Sequence, residues 1–381
     1  MPVNTMGDFP GEGRPQGSQS TVFMREKEAQ EQAMEPINVF DYEQLAQKRL
    51  PAMIWDHIQG GSDDSVTLHA NRQAFERLRL RPRVLVDVSV IETHTTVLGT
   101  PIQMPILVGP TAGHMLAHPE GECATAQATE QAGTIMIVSG FSSRTIEEIR
   151  ASTQAPLWLQ LYSYHSLEVT GQFVQRATAA GYQAIVLTVD TAHLGHREQD
   201  IRNNFQRSRF VPLANFIDND VSETPLRHLV DTWETVDWLR TVTHLPIILK
   251  GILTPEDALL ALQHGVAGIV VSNHGGRQLD GAISSIEALP DIIQAVNGGC
   301  EIYLDSGIRR GSDVLKALAL GARAVLIGRP IFWGLAVNGA SGVYHILDLL
   351  HAELTMSMAL SGRPTLSSLD PSLIKMPEQR I

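Results

Sequence analysis

Cysteine is almost missing from this chain. Two thiols in 381 residues, Cys123 and Cys300, exclude a disulfide framework and a cysteine-built zinc site. A reducing, cytoplasmic setting is the expectation. Long hydrophobic runs are missing as well, so no segment is expected to span a membrane. The chain does not open on a basic stretch followed by an apolar one, so no secretory signal is expected. Basic residues are outnumbered, with 29 Lys and Arg against 41 Asp and Glu and a net charge of −12. That balance disfavours nucleic acid and anionic membrane surfaces as partners. No His, Cys and carboxylate group has metal-ligand spacing, so no metal is expected. What is present is ordinary for a globular protein: 43% hydrophobic and 18% charged residues, enough chain for one large domain or two smaller ones.

Residues 1–36 are rich in Gly, Pro, Gln, Glu and Ser and have little to bury, which predicts a disordered tail. Folded sequence is expected over 37–381. It begins with a helical segment in which Asp41 caps a helix running to Arg49 and Pro51 opens the next. After a Gly-rich turn a second helical pattern follows, SVTLHANRQAFERLRL. From Pro105 onward eight short apolar runs recur, at 105–111, 134–140, 157–162, 184–190, 245–251, 268–274, 301–307 and 324–330. Each is nearly continuous and rich in β-branched residues, as a strand buried on both faces should be. Most are separated by one helical segment. Thr145 to Glu148 has the capping-box pattern, Thr254-Pro255 starts a helix that stops at Gly265, and Ser312 starts one that stops at Gly321. Val343, Ile346, Leu347, Leu350 and Leu354 mark one face of a closing helix. Eight such units predict an α/β fold, a (β/α)8 TIM barrel, in preference to an open doubly wound sheet, and no GxGxxG follows the first run. The one long interruption, 191–239, is expected to be a lid or disordered.

In such barrels chemistry collects where strands end. Here nearly every run ends in functional groups: Pro110, Thr111 and Ala112; Ser139; Gln160 and Tyr162; Thr188 and Asp190, with Arg197 beyond; Lys250; Ser272, His274 and Arg277; Asp305, Ser306, Gly307 and Arg309; Gly328 and Arg329. The stretch GIVVSNHGGRQLDG presents an imidazole that titrates near neutrality beside a guanidinium fork suited to a carboxylate. The glycines and arginines of the last two runs stand where barrels commonly hold phosphate. Lys250, closing an apolar run, needs negative charge nearby; a Schiff base and stabilisation of an anionic cofactor ring both fit it.

The segments LTVDTAHLGHRE, LKGILTPEDA, VSNHGGRQLDG, LDSGIRRGSDVLKALALGA and IGRP resemble the FMN-dependent 2-hydroxy acid oxidase family, and the likeness runs from about Ile37 to the C-terminus. The resemblance implies FMN as cofactor, a 2-hydroxy acid as substrate, O2 as acceptor, H2O2 and a 2-oxo acid as products, and a homo-oligomer, a tetramer or octamer. It implies that Pro110, Thr111, Ala112, Ser139, Gln160, Thr188, Lys250 and Ser272 line the flavin. Asp305, Ser306, Gly307, Arg309, Gly328 and Arg329 would hold its ribityl chain and phosphate. His274 would be the base, Asp190 its orienting partner, Arg277 and Arg197 the carboxylate clamp, Tyr162 a donor to the substrate oxygen, and Lys250 the counter-charge to reduced flavin.

The sequence departs from the family at several places. Its IWDHIQGG puts His57 where small-substrate members carry a carboxylate-binding Tyr. Donation to the substrate and simple space-filling are both open for His57. Gly109 and His114 replace the more usual Ala and Gln, Phe141 occupies a bulky pocket position, and the segment after Arg197 is shortened, which implies a reduced lid. Larger or atypical substrates enter consideration on these grounds. The competing readings are a dehydrogenase passing electrons to a quinone or protein, an FMN isomerase or Schiff-base aldolase acting through Lys250, and a flavin scaffold without catalysis.

Overall fold

Each of the eight apolar runs forms a strand in the computed structural model, which describes residues 35–164, 166–216 and 230–376. The tail expected over 1–36 lies almost wholly outside the described residues. The strands are β1 Ile106–Val108, β2 Met136–Ser139, β3 Leu157–Leu161, β4 Ile185–Thr188, β5 Ile247–Ile252, β6 Gly268–Val271, β7 Glu301–Leu304 and β8 Ala324–Ile327. Every neighbouring pair is parallel, and β8 pairs with β1 to close the barrel.

One side chain from each strand fills the barrel: Leu107, Ile137, Trp158, Val186, Ile248, Val270, Tyr303 and Leu326. All are essentially water-free. Transfer from water contributes roughly 1.5–3 kcal/mol for each large apolar side chain of this kind. The alternate residues, such as Ile106 and Val108, face the surrounding helices instead. A short hairpin, Thr95–Val97 with Thr100–Ile102, adds Val97 and Ile102 to the interior cluster. It is tied to the strand starts by Leu98 N–H on the Glu301 carboxylate, so it stops the N-terminal end of the barrel. The opposite end is the open mouth.

Three helices precede the barrel: α1 Val39–Arg49, α2 Ala52–Gln59 and α3 Val66–Arg77. Around it run α4 Glu122–Ala132, α5 Ile146–Ala151, α6 Leu167–Ala179, α7 Glu198–Arg202, α8 Trp233–Val242, α9 Pro255–Gln263, α10 Ser285–Val296, α11 Gly311–Ala319 and α12 Arg329–Leu360. The capping box at Thr145 and the Thr254 cap are both present. Val343, Ile346, Leu347, Leu350 and Leu354 are buried, as the closing-helix pattern requires, although α12 bends at Asn338 and Gly339.

Three expectations need correction. Asn38, not Asp41, caps α1: its carbonyl oxygen accepts from the N–H groups of Phe40 and Asp41 at 2.8 and 3.1 Å. An amide three residues earlier reaches the orphan donors, and Asp41 then sits in the first turn, where the helix dipole favours it. Ser312 lies inside α11, whose N-cap is Arg310; the Asp313 carboxylate accepts from the N–H groups of Arg309 and Arg310, both at 3.0 Å. The interruption between β4 and β5 is not bare loop: it carries α7, two 3-10 turns at Arg207–Arg209 and Ala214–Phe216, and α8, with 217–229 outside the described residues.

Candidate active site

The strand β6 runs out into Ser272 and Asn273, and the next three residues, His274, Gly275 and Gly276, all have φ between 58° and 72°. A left-handed turn of this kind is costly for histidine and cheap for glycine. It throws the imidazole over the mouth. A side chain at Gly275 would displace Arg329, since a Cβ there would stand 2.7 Å from its Nη1. His274 Nδ1 lies 2.8 Å from Asp190 Oδ1, just past the end of β4. The carboxylate fixes the tautomer: Nδ1 carries the proton and donates, leaving Nε2 as the basic nitrogen. Gly251 in β5 makes room for that carboxylate, because a Cβ there would meet Asp190 Cβ at 2.6 Å. Burial pushes the His274 pKa down, with Lys250 and Arg197 adding to it against Asp190, so the ring stays neutral. Burial works against the Asp190 carboxylate, but His274 and Lys250 outweigh it and hold its pKa below the usual range.

Lys250 is buried at the end of the apolar stretch of β5 and donates to Ser272 Oγ at 3.0 Å. Its counter-charge is Asp305 on β7, 3.3 Å away. Burial alone would lower the ammonium's pKa; Asp305, Asp190 and Tyr162 more than offset it, so Lys250 is charged. Beside it Ser139 donates to Gln160 Oε1 at 3.0 Å, and Gln160 Nε2 donates to Thr188 Oγ1 at 3.1 Å, a polar chain across β2, β3 and β4. Asp305 also accepts from Ser306 Oγ, which itself accepts from Gly275 N–H at 3.0 Å. Ser139, Gln160, Thr188, Lys250, Ser272, Asp305 and Ser306 are therefore brought together on one rim. Gly328 follows β8, and a Cβ there would be in van der Waals contact with the Thr111 methyl at 3.5 Å. Gly307 is packed against the backbone of Asn71. Thr111 is held from behind by His114 Nε2 at 2.7 Å, and His114 Nδ1 meets Thr125 Oγ1 at 2.9 Å. No side-chain contact distinguishes Pro110 or Ala112.

The arginines divide into two groups. Arg277 and Arg329 both donate to the end of α2: Arg277 Nη1 to the carbonyls of His57 and Gly60 at 2.7 and 2.9 Å, Arg329 Nε and Nη2 to those of Ile58 and Gly60 at 3.0 and 2.8 Å. Two cations thus neutralise the carbonyl end of a helix. Arg309 lies over the Trp333 ring, 4.8 Å from its centroid, and donates to the Ile308 carbonyl. Neither Arg309 nor Arg329 makes an ion pair with a described residue, and burial pushes their pKa values down to about 10 and about 9. Among the described residues, Arg197 is held only by long hydrogen bonds, 3.4 Å each, to the Arg277 carbonyl and Gln278 Oε1.

His57 pairs with Asp200 of α7, Nδ1 lying 3.1 Å from both carboxylate oxygens, and stacks on Phe205 at 4.1 Å. Burial, with Arg277 and Arg197, outweighs Asp200 and brings its pKa down to about 4. The ring is therefore neutral throughout the neutral pH range. Phe141 stacks on Tyr162, with centroids 5.2 Å apart. Sequence reasoning missed Asp200, Phe205 and Arg207, which reach the site from the interruption; the charged run RNNFQRSR following Arg197 was the available signal. It also gave Asp280 a place in the central stretch, whereas that carboxylate caps α3 through Val66 and Thr67 N–H.

Comparison with known proteins agrees with this arrangement. The profile of the family described as FMN-dependent dehydrogenase matches residues 46–376. An L-lactate oxidase of Nostoc sp. is 48% identical over 361 residues, covering 90% of this chain and 98% of that protein. Glycolate oxidase of Spinacia oleracea is 46% identical over 354 residues, with 90% and 96% coverage. A crystal structure of mandelate oxidase superposes with a TM-score of 0.85 at 43% identity, covering 90% of this chain and 98% of that one.

Proposed function

The chain belongs to the FMN-dependent dehydrogenase family of 2-hydroxy acid oxidases, and from that premise we propose that it oxidises an L-2-hydroxy acid to the 2-oxo acid while O2 becomes H2O2. The observation that carries the reading is the His274–Asp190 pair beside buried Lys250.

The residues fit FMN. Arg309 and Arg329 are half-buried cations whose described hydrogen-bond partners are neutral, which suits a phosphate. Gly328 lets the backbone after β8 lie close to Thr111, and the Ser139–Gln160–Thr188 chain offers donors and acceptors to a heterocycle. Lys250 supplies positive charge where a reduced ring needs it. Bound there, the flavin supplies a two-electron acceptor that O2 reoxidises.

The chain's own part follows from its charges. Arg197 and Arg277 bind the substrate carboxylate, with Arg197 the more loosely held and readier to turn toward it. Tyr162, its pKa pushed up by burial, stays protonated and donates to a substrate oxygen. Neutral His274 takes the proton from substrate at Nε2, and Asp190 stabilises the imidazolium that results. His57 donates through Nδ1 to Asp200, so Nε2 is left as an acceptor and the ring shapes the site instead of replacing a phenolic donor.

Residues 37–381 act as one flavin-binding unit in this reading. No helix among the described residues is long and apolar enough to cross a membrane. A homo-oligomer and a cytoplasmic location complete the proposal; size-exclusion chromatography tests the first. Cell fractionation tests the second, since two plant relatives are named peroxisomal. The main test is anaerobic bleaching of the reconstituted flavoprotein by a panel of 2-hydroxy acids, followed by stopped-flow exposure to air. Bleaching lost in His274→Ala and fast reoxidation are expected. Bleaching that survives His274→Ala, or air reoxidation slower than turnover with an artificial acceptor, would sink it.

A further inference from the structure

Arg207, among the described residues that face Phe141 and Tyr162, is a cation that the activity just described leaves unused. It opens a 3-10 turn beyond α7, and its side chain runs back into the mouth. Its Nη1 donates to the Phe141 carbonyl at 3.1 Å, and its guanidinium carbon lies 5.3 Å from the centroid of the Phe141 ring. That ring is stacked on Tyr162. Its Cδ passes over Gly113, where a Cβ would come within 3.2 Å, so glycine at that position lets the arginine lie against the segment after β1. The guanidinium therefore forms part of the wall shared by Phe141 and Tyr162, within electrostatic reach of Arg197.

This charge has no ion-pair partner among the described residues. The acidic group that acts on it, Glu122, is committed elsewhere: it accepts from His114 N–H, Ser143 N–H and Ser143 Oγ at 3.0, 2.9 and 2.6 Å. Burial lowers the pKa of Arg207, and Arg197 adds to the effect. A guanidinium resting on an aromatic face with most of its donors unspent is a ready receptor for an anion. Burying such a cation uncompensated is unfavourable, and an incoming carboxylate relieves it.

We propose that Arg207 determines substrate specificity by binding a second carboxylate, so that the preferred substrates are 2-hydroxy dicarboxylic acids. The inference rests on the oxidase reading above and names its substrate class. The C1 carboxylate goes to Arg197 and Arg277, the reacting carbon lies beneath His274, and the side-chain carboxylate reaches Arg207 over the Phe141–Tyr162 stack.

The test compares four- and five-carbon 2-hydroxy dicarboxylic acids with methyl-ended isosteres of equal length, in the FMN-loaded full-length protein. Wild type should favour the dicarboxylates in kcat/KM. Arg207→Leu should cut their kcat/KM by about 10–100-fold, the range expected for a hydrogen bond to a charged group, mostly through KM. The isosteres should lose far less, so that the preference inverts, and Arg207→Lys should restore part of it. Calorimetry with a 2-oxo dicarboxylic acid gives a readout free of turnover: Kd for wild type should weaken with salt, and more steeply than for the monocarboxylic analogue. If the Leu variant does not fold, the wild-type preference and the Lys variant decide. Wild type that favours the isosteres, or a Leu variant that loses both classes equally, overturns the proposal. Bleaching by monocarboxylates alone refutes this inference and leaves the oxidase reading standing; bleaching by no 2-hydroxy acid removes both.

Discussion

The two walls of the barrel mouth are built differently. On one, Lys250, His274, Asp305, Arg309 and Arg329 sit at or just beyond the ends of β5 to β8, and ladder register sets their spacing. On the other, His57, Arg197, Asp200, Phe205 and Arg207 come from α2 and from the segment between β4 and β5, and the His57–Asp200 pair joins residues 143 apart in sequence. In the proposed mechanism the first wall carries the proton and electron chemistry, on elements fixed by the barrel ladder. The second wall is the one proposed to meet what varies among substrates. A loop-borne wall can change its charge without disturbing the first.

The sharpest way to break this division is at His274. His274→Ala should lower kcat by about 10²–10⁴-fold, as expected for loss of a general base, with FMN content unchanged. In wild type kcat/KM should rise with pH and level off below 6.5, because burial keeps the base neutral to lower pH than an ordinary histidine. An acid limb above 6.5 would count against that assignment.

Arg329→Ala comes next. It should weaken FMN binding by about 10–100-fold in a fluorescence titration, the loss expected for hydrogen bonds to a charged group. It should also lower the melting temperature of the apoprotein, since the carbonyls at the end of α2 lose a donor. An unchanged FMN Kd would move the phosphate elsewhere.

On the second wall His57 should act on stability. The folded protein keeps this ring neutral down to about 4, whereas the unfolded chain protonates it near 6.5. Protons therefore favour the unfolded state in that window, and stability falls as pH falls from 6.5 toward 4. The full cost is about 3 kcal/mol at about 1.4 kcal/mol per pKa unit. Urea midpoints at pH 7 and pH 4.5 should converge in His57→Gln. An unaltered pH slope would mean the imidazole is not held neutral.

Phe205→Leu is the mildest change. It removes the stacked ring at a cost of roughly 0.5–1.5 kcal/mol and admits water to His57, so its pKa should climb back toward 6.5 in an NMR titration. No movement would mean that Phe205 is not what keeps water from the ring.

The same division governs what could be read from the sequence. All eight strands were legible, because a strand buried on both faces is written as a short apolar run, and so were the groups at their ends. Helix caps were less so: Asn38 and Asp41 are both capping residues, and only geometry chooses between them. The second wall was barely legible. His57 stood out as an unusual residue, yet its behaviour depends on Asp200 and Phe205, and nothing local announces those partners. Arg207 looked like one basic residue in a charged run until the fold laid it across Phe141.

The Arg329 guanidinium, anchored on the carbonyls of Ile58, Gly60 and Gly275, has a bearing on how the protein acquires its flavin. Its rotamer is already frozen by those carbonyls, so the immobilisation entropy of a long side chain is incurred when the chain folds and not when a phosphate docks. Apoprotein stripped of flavin should retain a rigid cationic seat and reload without a slow conformational phase, the association rate being governed by encounter alone.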